Sequence, residues 1–149
     1  ILFLCLGNIC RSPLAEGAAR AAFAAAEIGA TFDSAGTGDW HVGRPPDPRA
    51  QAEARRRGID ISAMRARQLS RDDFYRFDRI LVADATNLRD ARALAPPDAI
   101  ARVQLMLDLV PDRVGEDVAD PYFGDDGGFA ATWHDVSAVA AALVAASRG

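Results

Sequence analysis

The chain alternates between two patterns of hydrophobic and polar positions. ILFL at residues 1–4 and RILVA at 79–83 are short and continuously apolar, TFDSA at 31–35 is half apolar, and ARVQLML at 101–107 returns to a mainly apolar run. Runs of this length suit strands of a parallel sheet buried on both faces. Between them lie longer segments rich in alanine and charge. PLAEGAARAAFAAAE predicts a helix from about Pro13 to Ile28, with Ser12 as its cap, Pro13 in its first turn, Gly17 as its weak point and Gly29 as its stop. PRAQAEARRRG predicts a second helix ending at Gly58, SRDDFY opens with a further candidate cap, and TNLRDARALA predicts a short helix stopped by Pro96 and Pro97. A last alanine-rich helix spans about Gly128 to Ser147. Strand and helix in alternation, without internal repeats, predict an α/β domain. Its four-stranded parallel sheet would have right-handed crossovers and helices on both faces. Two long connections interrupt the order, GTGDWHVGRPPDP at 36–48 and DLVPDRVGEDVADPYFGDDGG at 108–128. Long loops inside a compact domain are usually functional.

Length and charge narrow the picture. With 149 residues, half of them hydrophobic, residues 1–149 are expected to form a single domain around one core. Seventeen basic and twenty-one acidic residues give a net charge of -4, so no basic footprint for nucleic acid or anionic lipid is expected. No run is expected to reach the roughly 20 apolar residues of a membrane span, and no secretory signal is expected. The reading is a soluble, cytoplasmic protein. Both cysteines lie within CLGNICRS at 5–12, which leaves no thiol for a distant bridge and points to chemistry in that stretch.

That stretch leaves the first strand at the carboxyl edge of the sheet, where ligands bind in open α/β folds. A short loop from strand to helix N-terminus turns backbone amides inward, and the helix dipole adds positive potential. Gly7 frees the backbone from the restrictions of a side chain. Arg11 offers a planar fork matched to two oxygens of a phosphate. The guest these features favour is a tetrahedral oxyanion, inorganic phosphate among them. Cys5 stands at the mouth of this cradle, in surroundings that lower a thiol pKa to roughly 3.5 to 7.5, and is expected to be an ionised nucleophile. Ser12 is placed to bond its sulfur, and Asn8 to hold the loop through bonds to backbone. Leu6, Gly7, Asn8, Ile9, Cys10 and Ser12 are the candidate substrate-binding residues of the loop.

FLCLGNICRSP, DSAGTGDWHVGRPPDPRA and DPYFG, in this order and over nearly the whole chain, resemble the low-molecular-weight protein tyrosine phosphatase family. The resemblance implies a flavodoxin-like fold with strand order 2-1-3-4 and hydrolysis of phosphotyrosine in proteins through a phosphocysteine intermediate, with no metal and no cofactor. It implies Cys5 as nucleophile, Arg11 as phosphate clamp and Asp120 as general acid. It also places Trp40 and Tyr122 as aromatic walls around the substrate ring. Among the carboxylates of the same loop, Asp117, Asp125 and Asp126 read as surface charges. Asp120 is preferred because Pro121 and Tyr122 follow it as in the family motif. Phe123 stands where the family often has a second tyrosine, so a phosphorylation handle is missing there, and its bulk is expected to line the entrance. Ala63 stands where the family commonly has a histidine that anchors the loop asparagine. Asp84 is open to two roles, a bond to the site or a helix cap. His41 and His134 lack ligand partners at metal spacing and read as structural or exposed. Cys10 is open to two readings as well, packing beneath the loop or a reversible disulfide that protects Cys5. The alternatives in function are a phosphoarginine phosphatase, an arsenate reductase or a non-catalytic phosphate-binding module. Arsenate reductases need further cysteines later in the chain, and phosphoarginine phosphatases typically carry threonine where this chain has Ile9.

Overall fold

The computed structural model describes residues 1–125 and 127–149, so Asp126 lies outside the described residues. Four strands, β1 (Leu2–Cys5), β2 (Asp33–Gly36), β3 (Arg79–Val82) and β4 (Arg102–Leu105), form one sheet. All are parallel, in the order β2-β1-β3-β4, which is the flavodoxin-like arrangement. Leu2 pairs with Asp33 and Ile80, and Cys5 pairs with Gly36, so at the carboxyl edge β1 ends level with β2 and one residue beyond β3.

Alternation along β1 explains the three layers. Phe3 and Cys5 enter the core shared with Leu81, α1 (Arg11–Ala25), α2 (Pro48–Arg56) and α5 (Gly127–Arg148). Leu2 and Leu4 enter the opposite core with Ile80, Val82, Phe74 and Phe77 of the α3 region (Asp73–Arg76), and Ala91 of α4 (Ala85–Leu94). Side chains one residue apart on a strand face opposite ways, so a strand apolar at every position requires a layer on each side. α1 packs against α5, and its Ala15, Ala18 and Ala19 are buried in their shared core.

Several boundaries differ from the pattern. Helix α1 starts two residues before Pro13 and ends at Ala25, not Ile28. It closes at Glu27, in the left-handed region at φ 58, where the amides of Glu27 and Ile28 donate to Ala24 and Phe23. Gly58, at φ 79, does close α2 as expected. Ser70 does not cap α3; instead the Asp73 carboxylate accepts from the Ser70 amide. The last residues of ARVQLML leave the sheet for a short 3-10 turn, Met106–Leu109. Alanine conceals one further point, because α5 is long and apolar enough, by composition alone, to meet the criterion for a membrane span, at a mean hydropathy of 1.4. Here it buries a stripe of Phe129, Val136, Val139, Ala140 and Leu143 in the core.

Candidate active site

The functional loop runs from the end of β1 into α1. Leu6, Gly7, Ile9, Cys10 and Arg11 line a cavity of about 120 Å³ with Cys5, and Trp40, His41, Asp120, Tyr122 and Phe123 complete its walls. The amides of Gly7 through Ser12 donate to no acceptor among the described residues, and Cys10, the cap position of α1, supplies no side-chain acceptor either. A run of free amides at a helix start is a site for an anion.

Loop shape comes from Asn8, in the left-handed region at φ 57, which asparagine tolerates better than most residues. Its side-chain amide donates to Ser12 Oγ at 2.8 Å and Ser34 Oγ at 3.0 Å, and its Oδ1 accepts from the Arg67 amide at 3.0 Å. Every hydrogen-bonding position of this buried amide is thus used except one lone pair, and two of its three partners are side chains. Ala63 is exposed, and the anchoring role is carried by Ser12, Ser34 and Arg67. Arg67 is itself fixed by Asp33 and by Asp73, whose carboxylate is fully buried. Gly7 has an ordinary φ; what it supplies is space, since a Cβ there would stand 2.9 Å from the His41 ring.

Ser12, the cap of α1 by its sequence pattern, lies inside the first turn of the helix. Its Oγ lies 3.1 Å from Cys5 Sγ and accepts from Asn8, which leaves the hydroxyl hydrogen for the sulfur or, at 3.4 Å, for the Ala35 carbonyl. Asn8 and Ser12 do not line the cavity; they stand behind the loop and hold it.

Arg11 is buried, with its side chain reaching across to the third strand's end. Nη1 donates to Asp84 Oδ2 at 2.7 Å and to the Val118 carbonyl at 2.9 Å, and Nη2 lies 3.6 Å from Asp120 Oδ2. Burial alone would weaken the charged form, but Cys5, Asp84 and Asp120 outweigh it and hold the guanidinium above its usual range. Asp84 has both roles that the sequence left open. Its Oδ1 accepts from the Asn87 amide as the cap of α4, and its Oδ2 orients Arg11.

Asp120 comes from the loop before α5, where Oδ1 accepts from the Tyr122 amide at 3.1 Å and more than a third of the side chain is exposed. Asp117 accepts from the Ala85 amide, and Asp125 from the Gly127 amide, so each is occupied with its own backbone contact. Trp40 lies over Gly38, where any Cβ would strike its ring, and remains mostly exposed at 69%. Tyr122 meets Phe123 edge to face with ring centroids 4.9 Å apart, and the His41 ring lies 6.3 Å from it. His41, which the sequence pattern presents as structural or exposed, lines the cavity. The signal for it was its place beside Trp40 in a long glycine-rich loop. His134 is exposed on α5. Both thiols are free and buried, and burial, followed by Asp47, Cys5 and Asp120, pushes the Cys10 thiol well above the usual range, so Cys10 stays protonated.

Residues 1–148 match the family model described as low molecular weight phosphotyrosine protein phosphatase. A low molecular weight phosphotyrosine protein phosphatase of Schizosaccharomyces pombe is 43% identical over 132 residues, covering 87% of this chain and 84% of that protein. Among solved structures, a protein tyrosine phosphatase from Entamoeba histolytica with Hepes in its active site superposes with a TM-score of 0.92 at 29% identity, covering 99% of this chain and 95% of that one. The Drosophila arginine phosphatase gives a TM-score of 0.93 at 29% identity, covering 99% and 97%.

Proposed function

Because the chain belongs to the low-molecular-weight protein tyrosine phosphatase family, a family of hydrolases, we propose that it hydrolyses phosphotyrosine in proteins at the cavity above Cys5. The observation that carries this reading is a thiol set among the free amides of Gly7 through Ser12, beside a buried guanidinium whose direction is fixed by Asp84 and the Val118 carbonyl. The amides and Arg11 receive the equatorial oxygens of the phosphoryl group, and their alignment before the reaction stabilises the charge that spreads over those oxygens. Cys5 Sγ attacks phosphorus; the S–P bond forms as the P–O bond to the tyrosine breaks. Asp120 gives its proton to the departing oxygen, because a phenol with a pKa near 10 is a poor leaving group as the anion. A water molecule then attacks phosphorus, its proton passes to the Asp120 carboxylate, the S–P bond breaks and inorganic phosphate leaves with the thiolate restored. Ser12 stabilises the sulfur as it departs, by the hydroxyl it turns to Sγ.

Trp40, Tyr122 and Phe123 supply the apolar walls for an aromatic ring, and Ile9 adds an apolar side chain at the floor. These walls favour phosphotyrosine over phosphoarginine, although the structural likeness to an arginine phosphatase makes that the comparison to run. Turnover on matched phosphotyrosine, phosphoarginine and phosphoserine peptides tests the reading. Phosphotyrosine should be hydrolysed fastest, with label from the phosphate trapped on Cys5 in a rapid acid quench. Fastest turnover of phosphoarginine, or no trapped phosphocysteine, would overturn it.

The same site supports redox control. An oxidant such as peroxide converts the Cys5 thiolate to a sulfenic acid, and the Cys10 thiol then displaces water to form a disulfide that a thiol reductant reopens. Peptide mapping after mild peroxide should find Cys5 joined to Cys10, and Cys10→Ser should lose the ability to recover.

A further inference from the structure

We infer that Arg49 is a positioning residue for the proton donor, acting through a tie that residues 47–49 make between the two loops of the site. The inference rests on the reading of Asp120 as that donor. The tie starts at the phosphate-binding loop, where the Asp47 amide donates to the Ile9 carbonyl at 2.8 Å. The Asp47 carboxylate then does two things. It caps α2 by accepting from the Arg49 amide at 2.8 Å, and it grips the guanidinium, accepting from Nε at 3.1 Å and Nη2 at 3.0 Å. Partial burial would raise its pKa, but the bonds from Arg49 win and hold the carboxyl below the usual carboxylate range.

From this fixed base the guanidinium reaches the other loop. Nη2 donates to the Tyr122 carbonyl at 3.0 Å and Nη1 to the Gly124 carbonyl at 3.3 Å. Its carbon lies 5.7 Å from the centroid of the Tyr122 ring and 4.8 Å from that of Phe129 at the start of α5. The Tyr122 amide in turn donates to Asp120. A continuous path of bonds therefore runs from Ile9 through Asp47, Arg49 and Tyr122 to the carboxylate.

The rest of the acid loop is held elsewhere. Among the described residues, Val118 is anchored on Ala83 and Arg11, Asp117 on Ala85, and Asp120 itself lies 3.6 Å from Arg11 Nη2. After Asp120, Phe123 is 91% exposed, and among the described residues the side-chain bonds that reach residues 122–124 from another element come from Arg49. Lysine would not replace it, since a single point charge lacks the planar fork that serves Asp47 and two carbonyls together. The consequence is specific: loosening Arg49 should misplace the donor without touching the anion cradle.

The test compares Arg49→Met and Arg49→Lys with the parent, following phosphoenzyme formation directly from phosphotyrosine and from an aryl phosphate whose leaving phenol is strongly acidic. Arg49→Met should slow the phosphotyrosine step by roughly tenfold to 100-fold, the scale on which small misplacements of catalytic groups act. The aryl phosphate should suffer far less, and competitive inhibition by inorganic phosphate should be nearly unchanged. Arg49→Lys should fall between Met and parent, and it carries the same comparison if the Met variant does not fold. Equal losses on both substrates, as a merely structural role would give, or no loss, would overturn the inference. Failure of the parent itself to hydrolyse phosphotyrosine would overturn the underlying reading instead.

Discussion

The loop after β1 and the loop before α5 meet over one cavity and are built in opposite ways. In the first, Asn8, Arg11 and Ser12 are buried: Asn8 and Arg11 are held by partners from distant parts of the chain, Ser34, Arg67, Asp84 and Val118, and Ser12 by Asn8 and Cys5 within the loop itself. In the second, Asp120 and Tyr122 are more than a third exposed, Phe123 is almost wholly so, and they rest on few bonds. The difference matches the tasks proposed for them. Electrostatic stabilisation needs dipoles and charges that are aligned before the reaction begins, and burial with complete hydrogen bonding achieves that. Proton exchange with a leaving group and then with water needs a carboxylate that solvent can reach. An aromatic wall also has to admit a protein-borne side chain.

Breaking the rigid half should have the largest effects. Cys5→Ser should abolish turnover while vanadate or phosphate still binds, as measured by calorimetry, because the amides and Arg11 remain; residual hydrolysis near the parent rate would remove Cys5 from its role. Arg11→Lys should follow, with a loss of about 100-fold to 1,000-fold in kcat, the scale seen when one preorganised oxyanion donor is removed. The lysine ammonium cannot hold Asp84, the Val118 carbonyl and the phosphate together. Unchanged kinetics would contradict the clamp. A smaller effect should come from Asn8, where two substitutions separate conformation from bonding. Asn8→Gly keeps access to the left-handed region and loses the three side-chain bonds, whereas Asn8→Ala loses both. Both should lower the melting temperature and turnover, and Asn8→Ala should be the worse of the two; identical behaviour would show that the backbone conformation contributes nothing.

How far the sequence revealed this division depended on the range of the contacts. The phosphate-binding loop was legible because its chemistry is crowded into residues 5–12 and follows directly on an apolar strand. The layered fold was legible because β1 and β3 are apolar at successive positions. What local patterns could not convey were contacts closed across the fold. Ser12 looks like a helix cap when only its neighbours are read, but Asn8 and Cys5 take up its hydroxyl. Glu27 carries no mark of a left-handed terminus, and the arrangement of amides on Phe23 and Ala24 imposes it. His41 enters the cavity because Gly7 leaves room for its ring, a relation between residues on different loops. Arg49 reads as one more charge on a charged helix until Tyr122 and Gly124 are placed above it.

The measurement that bears most directly on the division of labour is the rate of phosphoenzyme formation as a function of leaving-group pKa, for the parent and for Asp120→Asn, with Asp117→Asn and Asp125→Asn as controls. General acid catalysis contributes typically about 100-fold to 10,000-fold. The account predicts a loss on that scale for phosphotyrosine, shrinking steadily as the leaving phenol becomes more acidic, with the controls near the parent rate. Equal losses across the series would contradict a proton donor at Asp120, and a steep dependence created by Asp117→Asn instead would assign that role to Asp117.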